Sequence, residues 1–130
     1  MLGSVPLMAV IIIIYNVLVY VTGVELSSVV MSFTLISGEE WSVHTSDLLL
    51  LGGLILLFFE IVRATSSSTS SIINHGLSML VFVAALIEFI VLAPFGNTTF
   101  FLLTCFALFD VLAGFIITIV TARRDFAVGD

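Results

Sequence analysis

Four long apolar stretches, each interrupted by only one or two polar residues, set the pattern of this chain. They run from Val5 to Thr22, from Asp47 to Ala64, from Ser71 to Ala93 and from Thr98 to Ala122. A helix needs about 20 mostly apolar residues to cross a bilayer, and stretches of roughly 17–25 qualify. None of the four alternates apolar with polar residues as a half-buried strand would. Backbone groups inside lipid must bond internally, so helices are the spanning form expected here. Pro6 sits near the first turn of the first stretch, where a missing N–H costs nothing. Asp47, after "HTS", is placed to cap the second. Pro94 closes the third and "GNTT" opens the fourth. The pattern predicts an all-α membrane protein: one domain over residues 1–130, folded as an antiparallel bundle of four transmembrane helices. The first stretch lacks a basic leader and a small-residue cleavage site, so it reads as a retained span rather than a signal peptide.

Two connections differ in kind. In "VMSFTLIS", Met31, Phe33 and Leu35 alternate with Ser32 and Thr34, the period of a half-buried strand. "SGEE" follows as a turn and "WSVH" as a second strand. A short β-hairpin over about residues 30–44 is therefore expected between the first two helices, with Trp41 at the level of lipid headgroups. The rival reading is an interfacial amphipathic helix using Leu26, Val29, Val30 and Phe33. A lone two-stranded hairpin is marginal in water, so it must rest on the bundle, on lipid or on a partner. The other connection, "TSSSTSS" at residues 65–71, reads as a flexible turn; the same composition would also suit phosphorylation.

Small and polar residues recur at helical spacing within each stretch. Ala9 and Asn16 are paired in the first, Gly53 and Glu60 in the second, and Ser78 and Ala85 in the third with Glu88 one turn beyond. In the fourth, Ala107, Asp110, Gly114, Thr118 and Thr121 follow steps of three and four. Such steps keep residues on one face. In a membrane, small residues mark close helix contacts, because apolar bulk has no reason to prefer protein to lipid. These faces are expected to be the packing seams of the bundle.

The acids within them invite more. Glu60 lies near the end of its span, where Arg63 three residues on, with Asn74 or His75 added, would neutralise it as a structural interface acid. Glu88 comes level with Asn16 on an antiparallel first span and would form an ordinary interhelical link. Asp110 is the deepest, with no basic residue expected at its depth. A charge there costs about 2.5–3.5 kcal/mol or more, so Asp110 should be protonated, face the bundle or meet another subunit. Structural and functional roles for Asp110 both remain open at this stage.

Composition narrows the classes. Hydrophobic residues make up 61% of the chain and charged residues 9%, against roughly 25% charged in soluble domains. Nine acids stand against three arginines, giving a net charge of −6. That balance excludes a nucleic-acid-binding surface. Arg63 and the pair Arg123–Arg124 end the second and fourth spans on one side of the membrane, which the positive-inside rule makes cytoplasmic. Both termini are then cytoplasmic and the hairpin periplasmic. Cys105 is alone in an apolar run, so no redox pair is expected. His44 and His75 lie at opposite ends of the bundle and cannot ligate one haem iron, leaving only a haem shared at a subunit boundary. No metal, cofactor or hydrolase motif is present in the sequence.

Taken together, "FTLISGEEWSVHTSDLLLL", "LFFEIVRAT", "INHGLSMLVFV", "LIEF" and "LFDVLAGFIITIVTARRD" resemble a family of small four-span inner-membrane proteins of alphaproteobacteria. The resemblance runs from about Ser32 to Asp125 and implies a bacterial inner-membrane location and a four-span fold, without an activity. The serine-rich second connection departs from it, since more basic residues are expected there. Small multidrug transporters share the size and span count, but their essential glutamate lies in the first span, where this chain offers only Asn16. The leading expectation is a non-enzymatic membrane protein, an accessory or assembly subunit of a larger complex or a homo-oligomer. The alternative is a small proton- or cation-coupled transporter or channel using Asp110 and Glu88.

Overall fold

A computed structural model describes residues 5–65 and 69–129. In chain order it contains α1 (Leu7–Val17), β1 (Val29–Thr34), β2 (Glu40–His44), α2 (Thr45–Ala64), α3 (Thr69–Val91) and α4 (Thr98–Gly129). A π-helical turn, Leu18–Thr22, prolongs α1, and a single 3-10 turn, Ala93–Phe95, joins α3 to α4. The helices α2, α3 and α4 are long and apolar enough to cross a membrane, whereas the first apolar helix, Leu7–Thr22, is shorter. Residues 66–68, the middle of the serine-rich turn, lie outside the described residues, and α3 already begins at Thr69 rather than Ser71.

Helix α1 starts after Pro6 and ends where Gly23 takes up a φ of 67°, a left-handed conformation that glycine adopts without a Cβ penalty. Its buried face is Met8, Ile11, Ile12 and Tyr15, an i, i+3, i+4, i+7 stripe. This corrects the expected Ala9–Asn16 face, since both of those residues are only half-buried flanks. The small residue at this contact is on the other helix. Gly52 of α2 leaves the space into which the Ile11 side chain reaches, 3.7 Å from where a Cβ would stand.

The hairpin forms as two antiparallel strands, with Phe33 opposite Trp41 and Ser32 opposite Ser42. The turn falls earlier than "SGEE" suggests. Leu35 and Glu39 close it, with Leu35 N–H donating to Glu39 C=O at 2.8 Å and Gly38 N–H to Leu35 C=O at 2.9 Å. Gly38 has a φ of 91°. A three-residue loop whose last residue is a left-handed glycine is a favoured hairpin connection, and it moves Glu39 and Glu40 out of the turn onto the returning side. Cross-strand partners share a face, so Met31, Phe33, Trp41 and Val43 lie on one side. Ser32, Thr34, Glu40 and Ser42 lie on the other. Val43 alone of the strand residues is buried.

The hairpin feeds α2 without a linker. His44, the last strand residue, is the N-cap, so the helix begins at Thr45 and not after Asp47. Asp47 acts from inside the first turn, its carboxylate accepting the His44 N–H at 2.9 Å. The N–H groups of Thr45 and Ser46 donate to the carbonyls of Ser28 and Leu26, each at 3.0 Å. Helix N–H groups that would lack partners are thus used to hold the base of the hairpin.

In the interior, α4 packs against both α2 and α3, and α1 covers α2. Directions are antiparallel along the chain. Leu7 meets Glu60, and Phe89 packs on Phe101 at 5.5 Å between ring centroids. At the opposite end of the bundle, Tyr15, Phe95 and Phe100 are fully buried, with centroid separations of 4.7–5.0 Å. Tyr15 Oη–H donates to Pro94 C=O at 2.9 Å and accepts from Asn97 Nδ2 at 2.8 Å. Asn97 Oδ1 in turn caps α4 by accepting the Phe100 N–H at 2.9 Å. Tyr15→Phe is expected to cost about 1–2 kcal/mol, since it leaves a polar cluster short of one donor. Thermal unfolding in detergent reads this directly, and an unshifted midpoint would mean that the hydroxyl contributes nothing.

Candidate functional site

Glu60 belongs to the buried face of α2, together with Leu49, Gly53 and Leu57. Its side chain is 1% exposed. Oε2 accepts the Leu7 N–H at 2.5 Å, and Arg63 Nη1 stands 3.8 Å from the same oxygen. Arg63 Nη2 donates to Val5 C=O at 3.2 Å. A helix N-terminus carries partial positive charge, so the start of α1 and Arg63 neutralise Glu60 together. The neighbour of the Glu60–Arg63 pair is therefore α1, not Asn74 or His75 as the sequence predicts: Asn74 Nδ2, His75 Nε2 and Glu60 Oε1 are all buried without a protein partner.

Asp110 lies between Ala107 and Gly114 on the packed face of α4 and is 5% exposed. Ser78, Glu60 and Arg63 are all near enough to act on its carboxyl electrostatically. Oδ2 is buried without a partner. The sequence expects no basic residue at the depth of Asp110; the Arg63 guanidinium nevertheless acts on it electrostatically. That expectation placed α4 between residues 98 and 122, but the helix continues to Gly129. Its register brings Asp110 level with Ser78 and Glu60, toward the end where α2 stops and α3 starts.

Ser78 Oγ–H donates to Asn74 C=O at 2.9 Å. One turn along α4 from Asp110, Gly114 receives the His75 ring. A Cβ at Gly114 would lie 2.3 Å from His75 Nδ1, and the ring meets Phe115 edge-on at 4.6 Å. Gly53 plays a similar part on α2, where a Cβ would lie 2.9 Å from Leu103 and 3.2 Å from Phe106. Ala85 and Ala107 are fully packed, whereas Thr118 is exposed; the Thr121 side chain lies outside the described residues.

Glu88 is elsewhere. Asn16 Nδ2 donates to its Oε1 at 3.4 Å and to Ile12 C=O at 2.8 Å. Ten residues separate Glu88 from Ser78 on α3, which is about 15 Å of helix. Glu88 and Asp110 do not share one site, and the acid beside Asp110 is Glu60. His44 caps α2 at the end remote from Glu60, and His75 sits at the Glu60 end, so the two histidines are apart. Among the described residues, no group of three or more His, Cys, Asp or Glu side chains is arranged to hold a metal ion.

The site therefore draws on three helices: Glu60 and Arg63 from α2, Asn74, His75 and Ser78 from α3, and Asp110 with Gly114 from α4. Sequence reasoning missed the approach of Ser78 and Glu60 to Asp110, the docking of α1 on Glu60 and the Tyr15–Pro94–Asn97 cluster. Spacing within one helix carries no information about the register between helices, and only Asn97, in "GNTT" before an apolar run, left a local signal. Comparison with known protein families, curated proteins and solved structures finds no match.

Proposed function

We propose that this chain is a non-enzymatic integral membrane protein of the bacterial inner membrane, working as an accessory or assembly subunit of a larger complex or as a homo-oligomer. All four helices cross the bilayer in this reading, with both termini cytoplasmic and the hairpin periplasmic. The observation that carries it is the inversion of bulk and polarity. Ile13, Leu54, Phe58, Leu80, Ile90 and Ile116 point outward, while Glu60, Ser78, Thr104 and Asp110 are inside. Such an exterior needs lipid or other helices around it. The short first helix fits with modest local thinning of the bilayer. The apolar face of the hairpin, with Phe33 and Trp41 exposed, suits the headgroup level or a partner.

Purification in mild detergent tests the assembly reading. A particle larger than one chain, or a co-purifying membrane protein, is the expected result; a strictly monomeric particle alone would sink it. Orientation is checked with an impermeant thiol reagent on whole cells, using Glu40→Cys and Ser67→Cys in a Cys105→Ala background. Position 40 should react and position 67 should not; the reverse pattern would invert the topology.

A second reading, proton- or cation-coupled transport, is favoured by one observation: Asp110 is buried with an unpartnered oxygen beside a second buried acid. Intramembrane acids of this kind mark ion and proton pathways. Proteoliposomes holding the native chain should then pass protons or cations, and Asp110→Asn should abolish that flux. Equal flux from both would remove Asp110 from the reading.

A further inference from the structure

We propose that strand β1 is the contact between two copies of this chain, pairing antiparallel with the β1 of a partner subunit across a twofold axis at Phe33. The two hairpins then form one four-stranded sheet, with the β1 strands in the middle and the β2 strands at the edges. This names the interface of the homo-oligomer reading above and rests on that reading. Four observations lead there.

The first is which edge is open. A two-stranded sheet leaves one edge of each strand unpaired. The β2 side is turned to the bundle: Val43 is buried, the His44 N–H goes to Asp47 at 2.9 Å, and the strand runs straight into α2. On β1 all six residues are exposed. Native sheets blunt free edges with charges, proline or bulges. The β1 sequence "VVMSFT" has no charge and no proline. Its one irregularity lies at the base, between Val29 and Met31. Met31 to Thr34 is a regular, unprotected edge.

The second is the direction of the backbone groups. Leu35 N–H donates to Glu39 C=O at 2.8 Å across the end of the hairpin. Backbone groups along an antiparallel strand face its partner at every second residue. Those of Met31 and Phe33 therefore face β2, and those of Ser32 and Thr34 face outward. These two outward residues set the register. Ser32 exchanges both backbone bonds with Thr34 of the partner subunit, and Thr34 does the same with Ser32 of the partner subunit. Phe33 then stands opposite Phe33 of the partner subunit.

The third is the match of side chains. Phe33 already packs on Trp41 with 5.9 Å between ring centroids. The twofold extends this pair into an unbroken row of four rings on one face, and it sets Ser32 beside the partner's Thr34 on the other. Aromatic pairs and Ser–Thr pairs across strands both stabilise sheets. A lone two-stranded hairpin is marginal, and three or more strands with an apolar face are needed. A second copy supplies them. An axis relating two adjacent antiparallel strands runs perpendicular to their sheet. Copies inserted the same way need that axis along the membrane normal, so the sheet lies flat with its rings toward the headgroups.

The fourth is charge. Between Gly23 and Asp47 there is no lysine or arginine, but Glu25, Glu39, Glu40 and Asp47 are acids. Two such surfaces repel. Pairing through β1 leaves the strands that carry Glu40 three strand spacings apart, about 14 Å. That exceeds the screening length of about 8 Å at physiological salt. Pairing through β2 would bring the same acids onto adjacent strands.

Disulfide trapping in native membranes, in a Cys105→Ala background, tests the pairing. Two chains with different tags, one Ser32→Cys and the other Thr34→Cys, are co-expressed and treated with a mild oxidant. Both positions are exposed, so neither change disturbs the packed interior. Directly paired residues have Cα atoms about 5.5 Å apart, within disulfide reach. A mixed-tag dimer is the expected product. Ser42→Cys, on the far strand, would place its Cα atoms beyond the roughly 7 Å that a disulfide spans, so it should link on the order of tenfold more slowly or not at all. No mixed-tag dimer, or Ser42→Cys linking as fast, would overturn the pairing. Particle size of the Cys105→Ala chain in mild detergent separates this result from the assembly reading. A larger particle without the mixed link keeps the assembly and removes this interface, including the case where another protein takes the edge. A mixed link in membranes with a single-chain particle in detergent keeps the interface and removes the detergent-stable assembly. A single chain with no link ends both.

Discussion

Gly114→Val is expected to pry α3 from α4 and to lower the unfolding midpoint in detergent by one of the largest margins available to a single substitution. The first atom of the new side chain would stand 2.3 Å from His75 Nδ1 and 2.7 Å from Cε1. Non-bonded atoms do not approach so closely, so either the ring or the helices must move. The ring has little freedom, because Phe115 meets it edge-on at 4.6 Å. Overpacking of this kind costs about 1–3 kcal/mol, and the upper end is expected where a rigid ring is the obstacle. Shortening the obstacle should relieve it: the double variant Gly114→Val with His75→Ala should recover most of the loss. A valine variant as stable as the native chain would show that α3 and α4 do not approach here. A double variant no better than the single one would show that the clash is with something other than His75.

The second large effect is expected at Glu60. Glu60→Leu removes the acceptor of the Leu7 N–H and the partner of Arg63 in one step. Removing one member of a buried pair costs about 3–5 kcal/mol, and the lower end applies because Arg63 is about a third exposed and can turn toward water. The loss should be local in its consequences. Helix α1 is held at this end by Glu60 and by the Arg63–Val5 bond, so a cysteine at the buried position Met8 should become reactive. Glu60→Gln should be much milder, since its amide oxygen still accepts the Leu7 N–H. Thermal unfolding combined with thiol labelling of Met8→Cys, in a Cys105→Ala background, separates detachment of α1 from general unfolding. Protection of Met8→Cys in the leucine variant would rule out this clasp.

Asp110 offers a comparison between two substitutions. Asp110→Asn keeps the size and polarity of the side chain and should be tolerated in unfolding experiments. Asp110→Leu should cost on the order of 1–2 kcal/mol through lost bonding and added bulk. A leucine variant as stable as the native chain would mean that the Asp110 carboxyl does not hold these helices together.

The helices were legible because bilayer length and helical period act within one segment. The hairpin was legible because Met31, Phe33 and Leu35 alternate with Ser32 and Thr34. Its turn was misplaced by two residues, since Gly38 ends the loop rather than opening it. Helix starts were harder. Asp47 caps from the third helical position, and α2 starts three residues sooner than an N-cap at Asp47 implies. The inner face of α1 was misread because small residues were taken as the contact, whereas Gly52 on the opposing helix supplies the room and Ile11 the bulk. Gly53, Ser78, Ala85, Ala107 and Gly114 all lie on buried faces, yet which of them meet was not readable. The pairing of Asp110 with Ser78 and Glu60, rather than with Glu88, depends on how far each helix slides along its neighbour. Large side chains such as Phe106 and His75 set that slide, and nothing within a single helix reports it.

The junction at His44 gives the hairpin mechanical leverage. One residue ends a strand and caps a helix, and the carbonyls of Leu26 and Ser28 clamp the first turn of that helix from the other side. No slack remains between the two elements. A torque applied to the hairpin, by a headgroup under Trp41 or a protein against Phe33, must turn α2 about its axis. The far end of that shaft carries Glu60, so the hairpin and that buried acid turn together.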